Sequence, residues 1–433
     1  MVARIHAPEF PQRDFVVTSF GGVGDGKTDS LPAIRAAIEA CGAAGGGRVV
    51  IPAGEFLACG PIVLRSRINL HVAGGAVLRF SGEPADFLPV VLTRWEGTLL
   101  YNYSPLIYAR GAQDVAVTGH GIIDGNARAA FVAWLPRQTP AQNRLRQMGS
   151  DGVPVSERTF GEGHYLRPSM IQLFECRNVL VEGVTLKDSP FWVVHPVFCT
   201  NVTVREVTVD SLALNNDGCD PDSCTDVLIE NCRFHTGDDG IAIKAGRDAD
   251  AWRDGRMTEN VVIRHCEFQS RINALCIGSE MSAGVRNIFM EDCHVAEGDS
   301  CLYFKSNRDR GGFIEHVRVR RIRIDVSRAA VIRFETNYHS YRGGNAPSQF
   351  SDFRIEEVSC ASSDGYFLSA EGSVDLPIRN VRVKHVTVTN ARVPLLLRHI
   401  EDLLLTDVHV SGQLLVDRPA LTPVHVPRLR LRM

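Results

Sequence analysis

A short phrase of alternating apolar and polar residues recurs through the middle and the end of this 433-residue chain. Alternation at every second position is the period of a β-strand, and a helix would need a different rhythm. The copies lie roughly 22 to 36 residues apart, which is typical of a solenoid repeat. They begin at Arg177, Thr200, Thr225, Glu259, Arg286 and Glu315, with weaker copies from Ser351, Arg379 and Glu401.

Units of this length without a helix predict the coils of a right-handed parallel β-helix, in which the variable excess forms loops on one face. The expected fold class is therefore all-β, single-stranded and right-handed, with one domain over residues 1–433. Leucine-rich repeats are the main competitor, but their leucine spacing is absent. The coils that carry the chemistry should run from about 167 to 410.

Two segments lie outside the repeat. Residues 15–81 contain one convincing helix, which Asp29 or Ser30 would cap and a run of glycines would stop. We expect this part to form the first coils and to close the N-terminal end of the solenoid. Residues 129–166 are rich in Arg, Gln, Gly and Pro and predict a long loop. Such loops are typical of lids, groove walls and interfaces, and we expect a groove wall.

Composition and charge exclude several classes of function. The formal net charge is -3, so there is no global basic field to attract nucleic acid. No run approaches the roughly 18 apolar residues of a membrane span, and the first residues lack the apolar core of a signal peptide. We expect a soluble protein, either intracellular or with its export signal removed.

The 12 cysteines are spread through the chain without CxxC pairs. Cys232, Cys266 and Cys293 each end a copy of the repeated phrase. This pattern favours a stack of small apolar side chains inside a solenoid over zinc ligands or disulfides. We expect no metal site and no cofactor.

A phosphate-loop pattern, GGVGDGKT, occupies residues 21–28, between a strand-like segment and the predicted helix. Alone it would suggest a nucleotide-binding enzyme. However, Asp25 would place a negative charge where phosphates must lie, and the rest of the chain lacks alternating strands and helices. We expect a glycine-rich turn that leads into the helix.

Two aspartate-rich segments, NNDGCDPDSC from Asn215 and TGDDGIAIKAG from Thr236, lie about one repeat apart. Stacked coils should therefore bring Asp217, Asp238 and Asp239 to one patch of surface. Glycosidic bond cleavage needs a protonated carboxyl for the leaving oxygen and an ionised one that activates water. NNDG and DDG are also common turn sequences, but together inside a repeat they favour catalysis. An inverting pair should hold its carboxyls about 6.5 to 9.5 Å apart.

The chain resembles glycoside hydrolase family 28, the polygalacturonase family of pectin-degrading enzymes, over most of its length. FGGVGDGKTD, AIRAAI and GGGRVVIPAG are similar to the family's opening pattern, and NNDGCD and GDDGIAIKAG to its aspartate motifs. Segments that start at Thr93, Asn102, Thr118, Leu166 and Ser189 look like the bacterial, exo-acting branch. The resemblance implies a pectin-lyase-like β-helix, a pectic carbohydrate as substrate and a bacterial protein of the periplasm or cytoplasm.

By this resemblance the mechanism is inverting. Asp238 would be the general acid, and Asp217 with Asp239 would hold and deprotonate the attacking water. Attack from chain ends is expected, with residues 129–166 as the wall at one end of the groove.

Two other family signatures are altered in this chain. Ungapped alignment places Ile272 at the family's histidine, with Asn273 beside it, and Tyr303 at the family's arginine, while Lys305 is retained. A phenol cannot copy the bidentate pair that a guanidinium forms with a carboxylate. We therefore expect plain polygalacturonate to be a poor substrate, and rhamnogalacturonan or a substituted galacturonan to be better.

Further residues are candidates for contact with the sugar. Trp192 could stack on a sugar ring, whereas His195 is also typical of a hydrogen-bonded structural histidine. Arginines near the groove could replace the lost one, although loop arginines are often simply solvated. The predicted substrate-binding set is Lys305, Tyr303, Asn215, Asn273, Glu280, Trp192, His195, Arg247 and Arg308, with Arg310, Glu335, Asn337 and Tyr338 as further neighbours.

Two rival functions remain open. A pectin lyase shares the fold, but it generally needs a basic residue to abstract a proton and often calcium. A β-helix that only binds carbohydrate would tolerate loss of any of the three aspartates. The products of the reaction distinguish the first rival, since elimination leaves an unsaturated sugar that absorbs in the near ultraviolet.

Overall fold

The computed structural model describes residues 2–339 and 341–415, and the predictions for residues 416–433 lie outside the described residues. Successive copies of the repeated phrase pair as parallel strands in register, with Val179 beside Val202 and Val202 beside Val227. The same column continues to Val261 and Ile288. The phrase therefore forms one face of a parallel β-helix, as its period predicts.

The strands lie one after another along each coil. The long strands late in the chain bend through a whole turn of the solenoid. They are β1 Asp14–Val16, β2 Asp25–Asp29, β3 Gly47–Ile51, β4 Gly54–Ala58, β5 Ile62–Leu64, β6 Ile68–Val72, β7 Ala76–Phe80, β8 Val91–Trp95, β9 Thr98–Asn102, β10 Ile107–Arg110, β11 Gln113–Gly119, β12 Ile122–Asp124, β13 Thr159–Phe160, β14 Ile171–Phe174, β15 Arg177–Glu182, β16 Thr185–Lys187, β17 Val194–Val197, β18 Thr200–Arg205, β19 Thr208–Ser211, β20 Thr225–Glu230, β21 Arg233–Thr236, β22 Ile241–Ile243, β23 Thr258–Arg264, β24 Glu267–Ser270, β25 Asn273–Ile277, β26 Val285–Lys305, β27 Phe313–Glu335, β28 Gln349–Glu371, β29 Ile378–Arg398, β30 Ile400–Val410 and β31 Gln413–Leu415.

Within residues 2–339 and 341–415, three α-helices interrupt this pattern: α1 Leu31–Ala43, α2 Thr139–Asp151 and α3 Asp248–Asp254. Short 3-10 helical turns lie at Val2–Arg4, Val17–Phe20, Pro84–Phe87, Ala127–Ala129, Phe131–Arg137 and Val155–Glu157. In the described part of the chain, no helix is long and apolar enough to span a membrane.

Helix α1 follows the phosphate-loop-like segment and buries its apolar face against β1, β3 and β5. The Asp29 carboxylate accepts the backbone N–H of Leu31 at 3.0 Å, so of the two predicted caps it is Asp29 that satisfies the helix start. Asp25 accepts the N–H groups of Lys27 and Thr28. Its carboxylate thus takes backbone donors that a phosphate would need, as expected for a turn.

Residues 129–166 are not the unbroken loop that the sequence predicts, because they contain α2. The segment reads as a loop because it is rich in Arg, Gln, Gly and Pro, yet tertiary packing makes it helical. Ala141 and Leu145 are buried in a cluster with Trp95 and Phe160. The helix therefore gains its stability from the hairpin β8–β9 and the neighbouring chain rather than from its own sequence.

The core is a continuous column of buried Val, Ile, Leu and Phe side chains along the inside of the coils. Cys232, Cys266 and Cys293 are at most 3% exposed, and the neighbouring strand pairs keep them in register. The cysteines thus form the predicted stack inside the solenoid.

A second column of parallel strands forms the face that carries the candidate site. Strands β5, β10, β14 and β17 pair in that order, and bridges continue the column from Val194 through Cys219 to Ile241. The column then passes through β25 to Leu302 in β26. Since side chains alternate along a strand, the residue after each of these apolar positions points outward.

Candidate active site

The three predicted catalytic aspartates lie in consecutive coils of this outer face. Asp217 follows β19, and Asp238 and Asp239 lie between β21 and β22. The N–H of Gly218 donates to the carbonyl of Asp239 at 3.0 Å, which sets the two coils side by side. A side chain at Gly218 would bring its Cβ within 2.3 Å of the Phe234 ring, so this approach requires glycine.

One carboxylate oxygen from each aspartate lies within 4.8 Å of the other two. The predicted convergence is therefore observed. The predicted separation of about 6.5 to 9.5 Å for an inverting pair refers to whole carboxyl groups and stays a prediction. Carboxylates so close repel one another when all are ionised, so the cluster needs protons or neighbouring cations.

Asp238 is the most exposed of the three, and its environment favours the protonated form. Burial and the charge of Asp239 raise the pKa of Asp238 to about 6. The N–H of Asn215 donates to Asp238 at 3.2 Å, and the buried Arg167 donates to the Asn215 side chain at 2.6 Å. This chain of contacts fixes the position of a carboxyl that is suited to donate a proton.

Asp239, in contrast, is held by positive and polar groups from later coils. Lys305 Nζ lies 3.4 Å from one of its oxygens, and Asn273 Nδ2 donates to the other at 2.5 Å. Burial alone would lower the pKa of Lys305, but Asp239 raises it, so the lysine stays charged. Lys305 and Asn273 thus contact both oxygens of the Asp239 carboxylate.

A buried network of charges lies beside the aspartates. Lys244 Nζ is 3.3 Å from Glu280 and 4.0 Å from Asp217. Burial works against the charge of Glu280, but Lys244, Arg247 and Arg310 hold the pKa of this carboxyl well below its usual value. Lys244 and Lys305 thus place positive charge beside the three aspartates. Without them, a bound cation would have to supply that charge.

The aspartates open into a cavity of about 300 Å³. Its walls come from the coils, from α2 and the turn before it, from the β8–β9 hairpin and from the segment after β27. The lining residues are Glu96, Leu135, Gln138, Gln142, Arg146, Trp192, Leu214, Asn215, Asp217, Asp238, Asp239, Lys244, Arg247, Ser279, Glu280, Lys305, Arg310, Tyr338 and His339.

The hairpin β8–β9 covers the outer face of the earlier coils. Thr93 donates to Gln172, and Gln172 donates to the carbonyl of Arg94 at 3.1 Å. Gln172 and His195 are fully buried beneath these contacts. The cavity therefore ends at the hairpin on the N-terminal side of the aspartates, and the outer face of the coils is not a continuous open groove there.

His195 is a correction to the predicted substrate-binding set. It is completely buried, its Nδ1 accepts from Gln172 at 2.9 Å, and its Nε2 lies 3.6 Å from Asp222. Burial lowers the pKa of His195, which favours the neutral ring. His195 is therefore a structural residue beneath the hairpin and has no access to a sugar.

Trp192 lines the cavity but is only 3% exposed. Its ring packs against Phe191 and His195, and Lys244 Nζ lies 4.8 Å from its centroid. Trp192 is therefore part of the cavity wall and is not the open platform for sugar stacking that the sequence predicts.

Tyr303, Asn273 and Arg308 are three further corrections, because none of them lines the cavity. Tyr303 is buried and its hydroxyl donates to Glu335. Asn273 is buried against Asp239 and orients that carboxylate. Arg308 pairs with Asp375 at 2.8 Å on the surface. Of the two interpretations from the sequence, substrate contact or a solvated loop charge, the structure favours the second.

Several lining residues were not predicted from the sequence. Lys244 belongs to the GDDGIAIKAG motif itself, so the motif offered a signal for it. Glu96 and Arg146 pair at 2.7 Å and join the hairpin to α2. Their part in the wall depends on packing between distant segments, for which the sequence pattern holds no signal.

Comparison with known proteins identifies the family. A family profile described as Glycosyl hydrolases family 28 matches residues 41–394. A probable polygalacturonase from Vitis vinifera is 31% identical over 70% of this chain and 59% of its own length. An exo-poly-alpha-D-galacturonosidase from Dickeya chrysanthemi is 26% identical over 81% of this chain and 62% of its own length. The chain thus spans about three fifths of the length of these two relatives.

A solved structure, a hyperthermoactive exopolygalacturonase from Thermotoga maritima, matches with a TM-score of 0.92 and 37% identity over 95% of both chains. A polygalacturonase from Erwinia carotovora ssp. carotovora matches at 23% identity, with a TM-score of 0.72 over 92% of this chain and 98% of its own, which bears on the fold alone. These neighbours are right-handed parallel β-helices, as predicted for this chain. With most of its length matched, the chain belongs to glycosyl hydrolases family 28.

Proposed function

We propose that this protein is an exo-acting hydrolase of pectic polysaccharide that removes uronate units from chain ends. The observation that carries the proposal is the position of the aspartates in a cavity that ends at the β8–β9 hairpin. A polymer can enter such a site with one end, whereas internal cleavage needs a groove open on both sides. Relatives named as exo-acting, from D. chrysanthemi and T. maritima, support this mode of attack.

The proposed chemistry divides the three aspartates by their environments. Asp238 donates a proton to the leaving oxygen, since the raised pKa of its carboxyl keeps it protonated below about pH 6. Asp217 and Asp239 hold the attacking water, which Asp217 deprotonates. We favour inversion because the motif resemblance assigns it and because Lys305 and Asn273 already bind Asp239, which leaves it a poor nucleophile.

We also propose that recognition of the uronate carboxylate differs from that of polygalacturonases. Tyr303, at the position of the family's arginine, bonds Glu335 and does not reach the cavity. Five cations line the cavity among the residues that the structure describes, and each already pairs with a carboxylate: Lys244 and Arg247 with Glu280, Arg146 with Glu96, Arg310 with Asp248 and Lys305 with Asp239. This supports a preference for rhamnogalacturonan or a substituted galacturonan over the plain polymer.

The test is product analysis on defined pectic oligosaccharides. Saturated products whose new reducing end first appears with inverted configuration by NMR would support hydrolysis with inversion. Retained configuration would reverse the role given to Asp217. Products that absorb in the near ultraviolet would indicate elimination, and the hydrolase proposal would then fail.

A further inference from the structure

Arg167 is a fully buried cation behind the wall of the cavity. Its Nε donates to the side-chain oxygen of Gln138 at 3.2 Å, and its Nη2 donates to that of Asn215 at 2.6 Å. Its Nη1 donates to the backbone carbonyls of Pro190 and Leu214 at 3.0 and 2.9 Å. Among the described residues, these hydrogen bonds go to neutral oxygens and none goes to a carboxylate. Arg167 therefore joins the residue before α2 to the coils around the aspartates.

The donor-only character of Arg167 sets the direction of both amides. Burial lowers the pKa of Arg167 to about 10, so the guanidinium stays charged near neutral pH. A charged guanidinium offers N–H donors and no acceptor. Gln138 and Asn215 must therefore turn their oxygens toward Arg167 and their NH₂ groups away from it. The two ends of an amide are otherwise nearly interchangeable, but this contact allows a single orientation.

The two NH₂ groups are donors that the cavity wall still offers to a ligand. Gln138 and Asn215 both line the cavity. Among the described residues, neither Gln138 Nε2 nor Asn215 Nδ2 has a hydrogen-bond partner, and neither nitrogen is fully buried. The cations that line the cavity are in contrast already paired with carboxylates. Neutral donors in a fixed direction suit an oxygen acceptor of a sugar.

The backbone of Asn215 places its amide beside the proposed acid. Its φ of 62° lies in the left-handed region, which asparagine tolerates better than most residues. In this conformation its N–H donates to the Asp238 carboxyl at 3.2 Å, while its side chain meets Arg167. A sugar oxygen bound by Asn215 Nδ2 would thus lie close to the proton donor.

We propose that Asn215 and Gln138 bind the sugar through their NH₂ groups, and that Arg167 is the positioning residue that directs both groups into the cavity. The acceptor is an oxygen of the sugar, either a hydroxyl or the uronate carboxylate. Because Arg167 holds the amides in the bound orientation beforehand, less conformational freedom is lost when the sugar binds. The inference rests on the proposed function, since it places a pectic sugar in this cavity, but the predicted binding needs no hydrolysis.

Two substitutions of Asn215 separate the donor from its surroundings. Asn215→Asp keeps an oxygen for Arg167 and removes the NH₂ group, whereas Asn215→Leu removes both and adds no charge. The affinity for a contacted sugar, measured by calorimetry with galacturonic acid and with galactose, should fall roughly three- to tenfold in both variants, as expected for one hydrogen bond. A fall for both sugars assigns the acceptor to a hydroxyl, and a fall for galacturonic acid alone assigns it to the carboxylate.

Other patterns would overturn the inference. A fall in Asn215→Asp alone would be an effect of the added charge. A fall in Asn215→Leu alone, with a lower urea midpoint, would show that Asn215 only stabilises the fold. Unchanged affinity in both variants would show that the amide does not touch the sugar. Gln138→Glu and Gln138→Leu make the same comparison for the second amide.

Arg167 is tested by exchange for a donor-only and for a mixed side chain. Arg167→Lys keeps a cation that only donates, whereas Arg167→Gln offers both a donor and an acceptor, so the amides can take either orientation. The sugar that Asn215 contacts should bind about threefold more tightly to Arg167→Lys than to Arg167→Gln. Equal affinities, whatever the urea midpoints, would show that Arg167 holds the fold and does not direct the amides.

Failure of this inference and failure of the proposed function are distinguishable. Sugar binding that depends on Asn215, in a protein that hydrolyses no pectic fragment, would support the inference and count against the proposed hydrolysis alone. Hydrolysis of pectic fragments by Asn215→Asp and Asn215→Leu with the KM of the wild type would overturn the inference and leave the proposed hydrolysis in place.

Discussion

The Arg94 guanidinium lies 3.2 Å from the Asp222 carboxylate, and these side chains are 1% and 0% exposed. This ion pair joins the β8–β9 hairpin to the coil that carries Asp217. Burial raises the pKa of Asp222, but Arg94 and His195 outweigh this and lower it. The element that closes the cavity is thus tied to the catalytic coils by a buried charge pair.

Loss of one partner should be costly, because the other charge would remain buried and unpaired. We expect Asp222→Ala to lower the free energy of unfolding by about 3–5 kcal/mol. The matched control is Asp210→Ala, since Asp210 is 42% exposed in its contact with His235 and should contribute only about 0–1 kcal/mol. Urea unfolding of the wild type and the two variants measures both changes. Equal losses in the free energy of unfolding would show that the Arg94–Asp222 pair stabilises the fold no more than an exposed pair does.

Asp238→Asn should remove the proton donor without disturbing the fold. General acid catalysis contributes about 10²–10⁴-fold, so kcat should fall by that factor while the unfolding midpoint stays near that of the wild type. Substrates with a good leaving group, such as aryl glycosides, should lose less because they need less protonation. Full activity of Asp238→Asn on a natural pectic fragment would assign the acid to another residue.

The pH dependence of kcat/KM should report the protonation of Asp238. The pKa of Asp238 is raised to about 6 by burial and by Asp239. Asp238 works as an acid while protonated, so kcat/KM should fall as pH rises through about 6. Lys305 lowers the pKa of Asp238, so Lys305→Met should shift this alkaline limb to higher pH. An alkaline limb that does not move would argue that it belongs to a different group.

The sequence predicted the features that depend on local pattern and failed for those that depend on distant packing. The repeat phrase places Val179 and Val202 in register because alternation along a strand is a local property. The aspartate segments converge because they lie one coil apart. In contrast, the burial of His195 depends on a hairpin that begins about 100 residues earlier in the chain. The helical state of α2 depends on the contact of Leu145 with Trp95 and Phe160.

The wall made by α2 gives a prediction for the mode of attack. Arg146 lines the cavity and pairs with Glu96, whereas Arg144 on the same helix is exposed to solvent. Arg146→Ala should raise KM for oligosaccharides, while Arg144→Ala should leave it unchanged. In the wild type, reducing ends should accumulate with little early loss of polymer viscosity. A rapid early fall in viscosity would indicate internal cleavage and exclude the end wall.

Substrate preference should follow from the side chain at position 303. Because Tyr303 cannot pair with a carboxylate, kcat/KM on plain oligogalacturonides should be below that on rhamnogalacturonan or substituted fragments of equal length. A lost charge-assisted hydrogen bond is worth about 1.5–3 kcal/mol, or roughly one to two orders of magnitude. Arg333 lies 4.6 Å from the Tyr303 ring and would repel a new guanidinium there.

The restoring change is therefore Tyr303→Arg together with Arg333→Gln, with Arg333→Gln alone as the control. The double variant should gain about tenfold or more on oligogalacturonides, because a guanidinium fork can pair with a carboxylate and the phenol of Tyr303 cannot. The control should not gain, since it adds no donor. If the wild type already prefers unsubstituted oligogalacturonides, Tyr303 is neutral for recognition, and the paired cations of the cavity must open to bind the carboxylate.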